Sequence, residues 1–239
     1  MKLINKKNSR KQGIIEIYGI HAVRAAIKNT RRKYKKLTIS ENLRSFITPE
    51  IKKNVEKINQ VSNKEMFKLH GAENNHQGIV LSTSALSQPS LDEILENSKD
   101  KKIEVVVMLD RVTDPNNIGS IMRSSSLFNC KSIIVARDNS PDITPSMTKA
   151  ASGALETVNY IKVINLSSAI QKFKKNNFWV YGLDNNIKNN NIDKFAFPEK
   201  CLFILGAEGK GLRQLTKKEC DDIISIPTNI FNEVDSLNV

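Results

Sequence analysis

Three short stretches of this 239-residue chain combine residue types and spacings that could do chemistry, and each follows an apolar run. The first is Asp110-Arg111-Val112-Thr113-Asp114-Pro115-Asn116-Asn117-Ile118-Gly119, with Arg123 four residues further on. Pro and Asn are turn formers, and Gly119 suits close packing. A guanidinium on a helix beside such a loop grips a phosphate or carboxylate with two parallel hydrogen bonds, or else closes a structural salt bridge. The second is Gly206-Ala207-Glu208-Gly209-Lys210-Gly211, directly after Leu202-Phe203-Ile204-Leu205. Its glycines let backbone approach a ligand closely. The order is not the GxGxxG of dinucleotide folds, and no Lys-Ser/Thr pair follows as in a phosphate loop. Glu208 would repel phosphates, so a ligand with a positive or amide-bearing group fits better than a diphosphate. A plain glycine-rich turn is the alternative. The third, Ile224-Ser225-Ile226-Pro227 and then Ser236-Leu237-Asn238-Val239, reads in isolation as a strand, a stop and a polar tail.

These stretches need a scaffold that holds them together. From residue 101 onward, apolar runs alternate with amphipathic ones. Strands are expected over 105–109, 132–135, 158–163, 178–183, 202–205 and 223–226. Helices are expected over 119–128, with Arg123 in the second turn, and over 145–155, 167–176 and 212–220. That is an α/β domain with a mainly parallel sheet, whose ligands bind outside the carboxyl ends of the strands. Residues 14–84 read as a smaller α/β unit. Strands are expected at 14–18, 37–40 and 78–82, and helices at 19–28, 48–60 (Thr48 capping, Pro49 in the first turn) and 63–69. Residues 1–13 read as a basic disordered arm and 85–100 as a linker carrying a short helix. The asparagine-rich 185–191 reads as a surface insertion.

Charge separates the two parts. Residues 1–99 hold 19 Lys/Arg and 9 Asp/Glu, a net of +10, whereas 100–239 hold 18 and 16, a net of +2. A basic face of that kind fits a polyanion, because each phosphate neutralised releases a counterion. The run Arg31, Arg32, Lys33, Tyr34, Lys35, Lys36 is its densest part and could hold RNA phosphates, or be a solvated charge run. The three cysteines, Cys130, Cys201 and Cys220, are odd in number and widely spaced, which suits buried free thiols and a cytoplasmic chain rather than disulfides or a metal. No apolar run is long enough for a membrane span, and no signal-peptide pattern opens the chain.

Taken together and in this order, DPNNIG-x-x-x-R, LGAEGKGL and ISIP…SLNV resemble the three signature motifs of the TrmH/SpoU family of RNA 2′-O-ribose methyltransferases. Ile17-Tyr18-Gly19-Ile20-His21-Ala22-Val23, His76-Gln77-Gly78-Ile79-Val80 and Ala151-Ser152-Gly153-Ala154-Leu155-Glu156 extend the likeness to the branch similar to bacterial 23S rRNA guanosine-2′-O-methyltransferases. The resemblance implies a trefoil-knotted parallel-sheet catalytic domain over 101–239, preceded by a ribosomal-protein-L30e-like RNA-binding domain. It also implies S-adenosylmethionine as cofactor, a homodimer and no metal. By motif, Gly206, Ile226 and Leu237 would contact the cofactor, and Asn117, Arg123, Glu208, Ser236 and Asn238 would line the reacting site. Departures are a longer Ile226-to-Leu237 connection and a sequence that stops at Val239, where the family continues into a helix that completes the knot. Two alternatives therefore stay open: the same chemistry on tRNA, and a non-catalytic RNA-binding protein.

A ribose hydroxyl is a weak nucleophile and a sulfonium methyl a good electrophile, so such catalysis needs alignment and removal of one proton. Arg123 as the base is hard to reconcile with a guanidinium that stays protonated. The expected division of labour has Arg123 orienting the target phosphate and stabilising the alkoxide, with the proton passing to Glu208 or water.

Overall fold

The computed structural model of the chain describes residues 13–71, 76–185 and 190–227. Its contacts separate two units, one ending at Ser87 and the other beginning at Gln88. In the first, β1 (Ile14–Tyr18), α1 (Ile20–Lys28), β2 (Tyr34–Ser40), α2 (Pro49–Asn54), β3 (Val55–Val61), α3 (Asn63–His70) and β4 (Ile79–Ser84) build one sheet in the order β1-β4-β2-β3. β4 is antiparallel to β1 and β2, and β2 is parallel to β3. Helix starts are set by side-chain chemistry. Thr48 accepts from the Ile51 amide at 3.3 Å, and Ser62 and Glu65 satisfy each other's backbone amides in a capping box. One sheet face packs Ile17, Leu37, Ile39 and Leu81 against Val23 and Ala26 of α1 and Ile51 of α2. The other packs Tyr18 and Val80 against Met66 of α3.

The helix expected over 48–60 stops at Asn54, and the next seven residues become β3, paired from Tyr34↔Val55 to Ser40↔Val61. Val55, Ile58 and Val61 fall at helical spacing, but β-branched residues beside the open edge of β2 gain more from pairing. β2 in turn begins at Tyr34, so half of the basic run is strand.

The second unit contains α4 (Leu91–Ser98), β5 (Glu104–Asp110), α5 (Pro115–Leu127), β6 (Ser132–Ala136), α6 (Pro145–Ala151), β7 (Asn159–Val163), α7 (Leu166–Lys175), β8 (Trp179–Leu183), β9 (Lys200–Gly206), α8 (Gln214–Glu219) and β10 (Asp222–Ile224). Its six strands lie in the order β10-β8-β9-β5-β6-β7, with every described pairing parallel. On one face, Val106, Met108, Ile134, Val180, Leu202 and Ile204 pack against Leu166, Ile170 and Phe173 of α7 and against Ile94 and Leu95 of α4. α4 falls in the stretch expected as a linker. Its capping box (Ser90, Glu93) and its two buried apolar side chains, Ile94 and Leu95, make it part of this core. Among the described residues, no helix is long and apolar enough to cross a membrane.

Three local expectations are revised. α5 begins at Pro115, where Asp114 caps it by accepting from the Asn116 amide at 2.9 Å, so the Asn pair lies in its first turn and Arg123 in its third. α6 ends at Ala151, because Ser152 and Gly153 take left-handed backbone (φ 50° and 99°) ahead of a short 3-10 turn at Ala154–Glu156. The far end of the asparagine-rich stretch is part of the sheet. Asn191 bridges Ser225, and the Ser225 amide donates to the Asn190 carbonyl at 2.8 Å on the outer side of β10.

α5 and α6 meet backbone to backbone at Gly119, where a Cβ would stand 2.6 Å from both the Ala150 Cβ and the Met147 carbonyl oxygen. Overpacking of this kind costs roughly 1–3 kcal/mol. Gly119→Val should therefore lower stability by about 2 kcal/mol in urea unfolding, while Ser120→Ala, on the exposed side of the same turn, should change it little.

Candidate active site

Parallel pairing puts the carboxyl ends of all six strands at one edge of the second unit, and the first two motif stretches and the 224–227 part of the third emerge there. β5 and β9 are neighbours, in register from Glu104↔Lys200 to Asp110↔Gly206. From β5 the chain continues to β6 on one side, and from β9 it continues toward β10 on the other. The cleft between them is thus a topological switch point, where open α/β sheets bind ligands.

The glycine loop is built into this edge. A Cβ on Gly206 would lie 2.3 Å from the Gly211 carbonyl carbon, because the chain turns back over the strand end. The Gly211 amide closes the turn by donating to the Ala207 carbonyl at 2.8 Å, and Gly209 and Gly211 take φ of 73° and 60°. Glu208 is exposed at its tip. Beneath it, the Asp110 carboxylate has no contact with water. It accepts from the Arg213 amide (3.1 Å), Arg213 Nε (2.6 Å) and Thr216 Oγ1 (2.7 Å). Lys217 Nζ pairs with Asp184, the residue after β8. Sequence reasoning gave none of these five residues a task. The available signal was a charged residue closing an otherwise apolar strand, which requires a partner once buried.

The structure groups part of the expected set. Gly206 and Glu208 lie on the loop after β9, Asn117 is half-buried in the first turn of α5, and Ile226 is at the same sheet edge, just past β10. Arg123 is exposed on α5, about 12 Å along the helix axis from Pro115 at 1.5 Å per residue. No hydrogen bond or ion pair joins Arg123 to Glu208 among the described residues. Ser236, Leu237 and Asn238 lie outside those residues. Beside Arg123, Ser120 and Ser124 line a 420 Å³ groove completed by Val105, Val107, Phe128 and Leu205. Val105 and Val107 are only half-buried there.

In the basic run of the first unit, Arg32 and Tyr34 are buried and the other four residues reach solvent. Arg32 is 4% exposed and donates to the Ser84 carbonyl at 2.6 Å, while Tyr34 is buried and donates to the Ile27 and Asn29 carbonyls. Arg31 and Lys33 are exposed, Lys36 is half-buried, and Lys35 pairs with Glu56 at 2.6 Å. Arg32 thus ties β4 to the turn before β2, and the cationic surface is left to its neighbours. On α3, burial pushes the His70 imidazole below its ordinary value, partly opposed by Glu16 3.8 Å away, with Lys36 adding to the depression. Cys130 and Cys201 are buried free thiols as expected, whereas Cys220 is only half-buried. Burial pushes Cys201 up to about 11 and Cys220 up to about 12, and Cys130 is raised for the same reason.

Residues 104–239 match the SpoU rRNA Methylase family. The chain belongs to that family. Residues 17–89 match a second family, described as RNA 2′-O ribose methyltransferase substrate binding. Among curated relatives, the 23S rRNA (guanosine-2′-O-)-methyltransferase RlmB of Pseudomonas putida is 31% identical over 94% of this chain and 90% of its own length. The enzyme of the same name from Vibrio vulnificus is 32% identical over 93% and 90%. Among solved structures, the SpoU methyltransferase AviRb of Streptomyces viridochromogenes in complex with AdoMet superposes with a TM-score of 0.73 at 19% identity, over 95% of this chain and 84% of that one. A putative TrmH-family RNA methyltransferase of Porphyromonas gingivalis gives 0.71 at 21%, over 95% and 85%. These two likenesses establish the fold.

Two outcomes follow. Gly206→Ala should force the turn open against its own backbone and lower stability by roughly 1–3 kcal/mol in urea unfolding. Because the folded state depresses His70, that residue contributes stability above the unfolded histidine value of about 6.5, and the contribution is lost as pH falls below it. Unfolding midpoints measured from about pH 7.5 down to about pH 5 should fall, and His70→Phe should flatten the dependence.

Proposed function

We propose that this chain transfers a methyl group from S-adenosylmethionine to a ribose 2′-hydroxyl of ribosomal RNA, with a guanosine of 23S rRNA as the target. The observation that carries the reading is the glycine loop closed over the end of β9 at the switch point, in a chain of the SpoU rRNA Methylase family whose curated relatives are named for that reaction. The donor set supports the cofactor. The charged side chains beneath the loop, Arg213 and Lys217, are already paired with Asp110 and Asp184, so the loop presents its backbone groups together with the exposed Glu208 and Lys210 side chains. That environment suits a cationic sulfonium and a hydrogen-bonding nucleoside.

S-adenosylmethionine, when bound, supplies an electrophilic methyl group. The chain's own residues do the rest. Gly206 and Ile226, with Leu237, hold the cofactor against the sheet edge. Arg123 grips the target phosphate in a two-point hydrogen bond and steadies negative charge on the ribose oxygen, while Asn117, Ser236 and Asn238 orient the sugar. As the ribose oxygen bonds to the methyl carbon and the sulfur–carbon bond breaks, Glu208 or water takes the hydroxyl proton. The smaller unit holds the RNA through Arg31, Lys33, Lys35 and Lys36. We assign the larger unit the family's trefoil knot, the smaller one an L30e-like fold, and the assembly a homodimer. The exposed Leu127 and Phe128 (78% and 83%) beside the groove support a second copy there.

The test is methyl transfer from labelled S-adenosylmethionine to purified 23S rRNA and, in parallel, to tRNA. Incorporation into 23S rRNA is expected, at one guanosine. Arg123→Lys should reduce turnover about a hundredfold, since lysine keeps the charge and loses the fork. Glu208→Gln should lose about as much if the carboxylate takes the proton. Near-normal turnover in Arg123→Lys would rule out the assigned role, and label entering tRNA alone would move the substrate.

A further inference from the structure

We infer that Asp110 and Asp184 are positioning residues for methyl transfer: the two carboxylates hold α8 across the end of β9 and so fix the shape of the 206–211 loop. The inference rests on the S-adenosylmethionine reading above. Neither aspartate belongs to the motif residues assigned to cofactor or substrate.

β9 lies between β8 and β5. Asp110 closes β5 and Asp184 follows β8, so a buried carboxylate stands on each side of the strand that ends at Gly206. The segment after the loop answers both. Arg213 gives its amide and Nε to Asp110, Thr216 adds its hydroxyl, and one turn later Lys217 reaches Asp184. Leu212, just past the loop, is buried in the core. The chain therefore leaves the sheet at Gly206, turns through five residues, and is caught again at 212, 213, 216 and 217. A turn held at both ends over so short a span has few alternative shapes.

Two features separate this from ordinary packing. α8 is a six-residue helix whose one buried residue is the polar Thr216, and its Leu215 is 60% exposed. Apolar burial contributes little to where α8 sits, so polar contacts set its position: the two ion pairs on the loop side, and at the far end the Glu219 carboxylate, which accepts from Ser167 Oγ at 3.1 Å and from Gln171 Nε2 of α7. A carboxylate without water is also strongly disfavoured when its partner moves away, so α8 cannot swing out while Asp110 and Asp184 stay buried and charged. The pairing thus penalises motion of the loop, and it does so without occupying the ligand side of the loop.

The experiment compares wild type with Thr216→Val, Asp184→Asn and Asp110→Asn. Amide hydrogen exchange is measured on the ligand-free chain, and S-adenosylmethionine affinity is measured by calorimetry. Thr216→Val, nearly isosteric, keeps the test open if a charge-removing variant does not fold. In each folded variant, exchange across 207–212 should rise about tenfold and cofactor affinity fall about tenfold. Exchange in β6 and the KM for 23S rRNA should be unchanged. Unchanged loop exchange and affinity in a wild-type background that binds the cofactor would overturn the inference, and so would a uniform rise in exchange across the whole unit, which marks a purely structural role. A wild-type chain that binds no S-adenosylmethionine would instead overturn the reading on which it rests.

Discussion

At the carboxyl end of β5 the Asp110 side chain is shut off from water, and a carboxylate in that place must find its compensation within the chain. The compensation comes from about a hundred residues away in sequence, through Arg213 and Thr216. It is geometrically possible only because β9 is inserted beside β5 in parallel register, so that Gly206 and Asp110 finish their strands side by side. The order of the sheet, the fold-back of the glycine loop and the placement of α8 are consequences of one another. The site is a property of the sheet edge more than of any single motif.

Much of this organisation was legible in the sequence. The apolar run ending at Leu109 announces a central strand. The capping residue Thr48 starts a helix as its chemistry dictates. The glycine loop falls at the end of β9 as the motif requires. What was not legible depended on distant partners. Val55–Val61 has helical spacing and becomes a strand because β2 offers an unpaired edge in parallel. Pro115-Asn116-Asn117 reads as a turn and is helix, because Asp114 caps one turn earlier than the pattern suggests. In the candidate site, glycines and the acidic loop residue could be read locally. The carboxylates under the loop could not, since an aspartate shows its burial only once the strands on both sides are known.

The smaller unit shows a similar division between composition and placement. A run of five cations looks uniform in sequence, yet the Ser84 carbonyl draws Arg32 inward in the turn before β2 while Arg31 and Lys33 face solvent. One of the cations braces the turn, and a neighbour, Lys35, is partly neutralised by Glu56. Contact with a polyanion would fall on Arg31, Lys33 and Lys36, with a weaker share from Lys35, and such attraction for phosphate weakens steeply with salt. Charge counted along the chain therefore overstates the surface that can grip RNA.

The bridge between Asn191 and Ser225 has a bearing on how the sheet meets its surroundings. β10 is a border strand of three residues, and an uncovered border would present bare amides and carbonyls to any passing chain. Here Asn190 and Ile192 take up the Ser225 amide and carbonyl and the Ile223 carbonyl, so less of this rim is open to strand addition and to the aggregation that follows from it. An asparagine-rich stretch with no obvious purpose thus guards the lateral boundary of the fold.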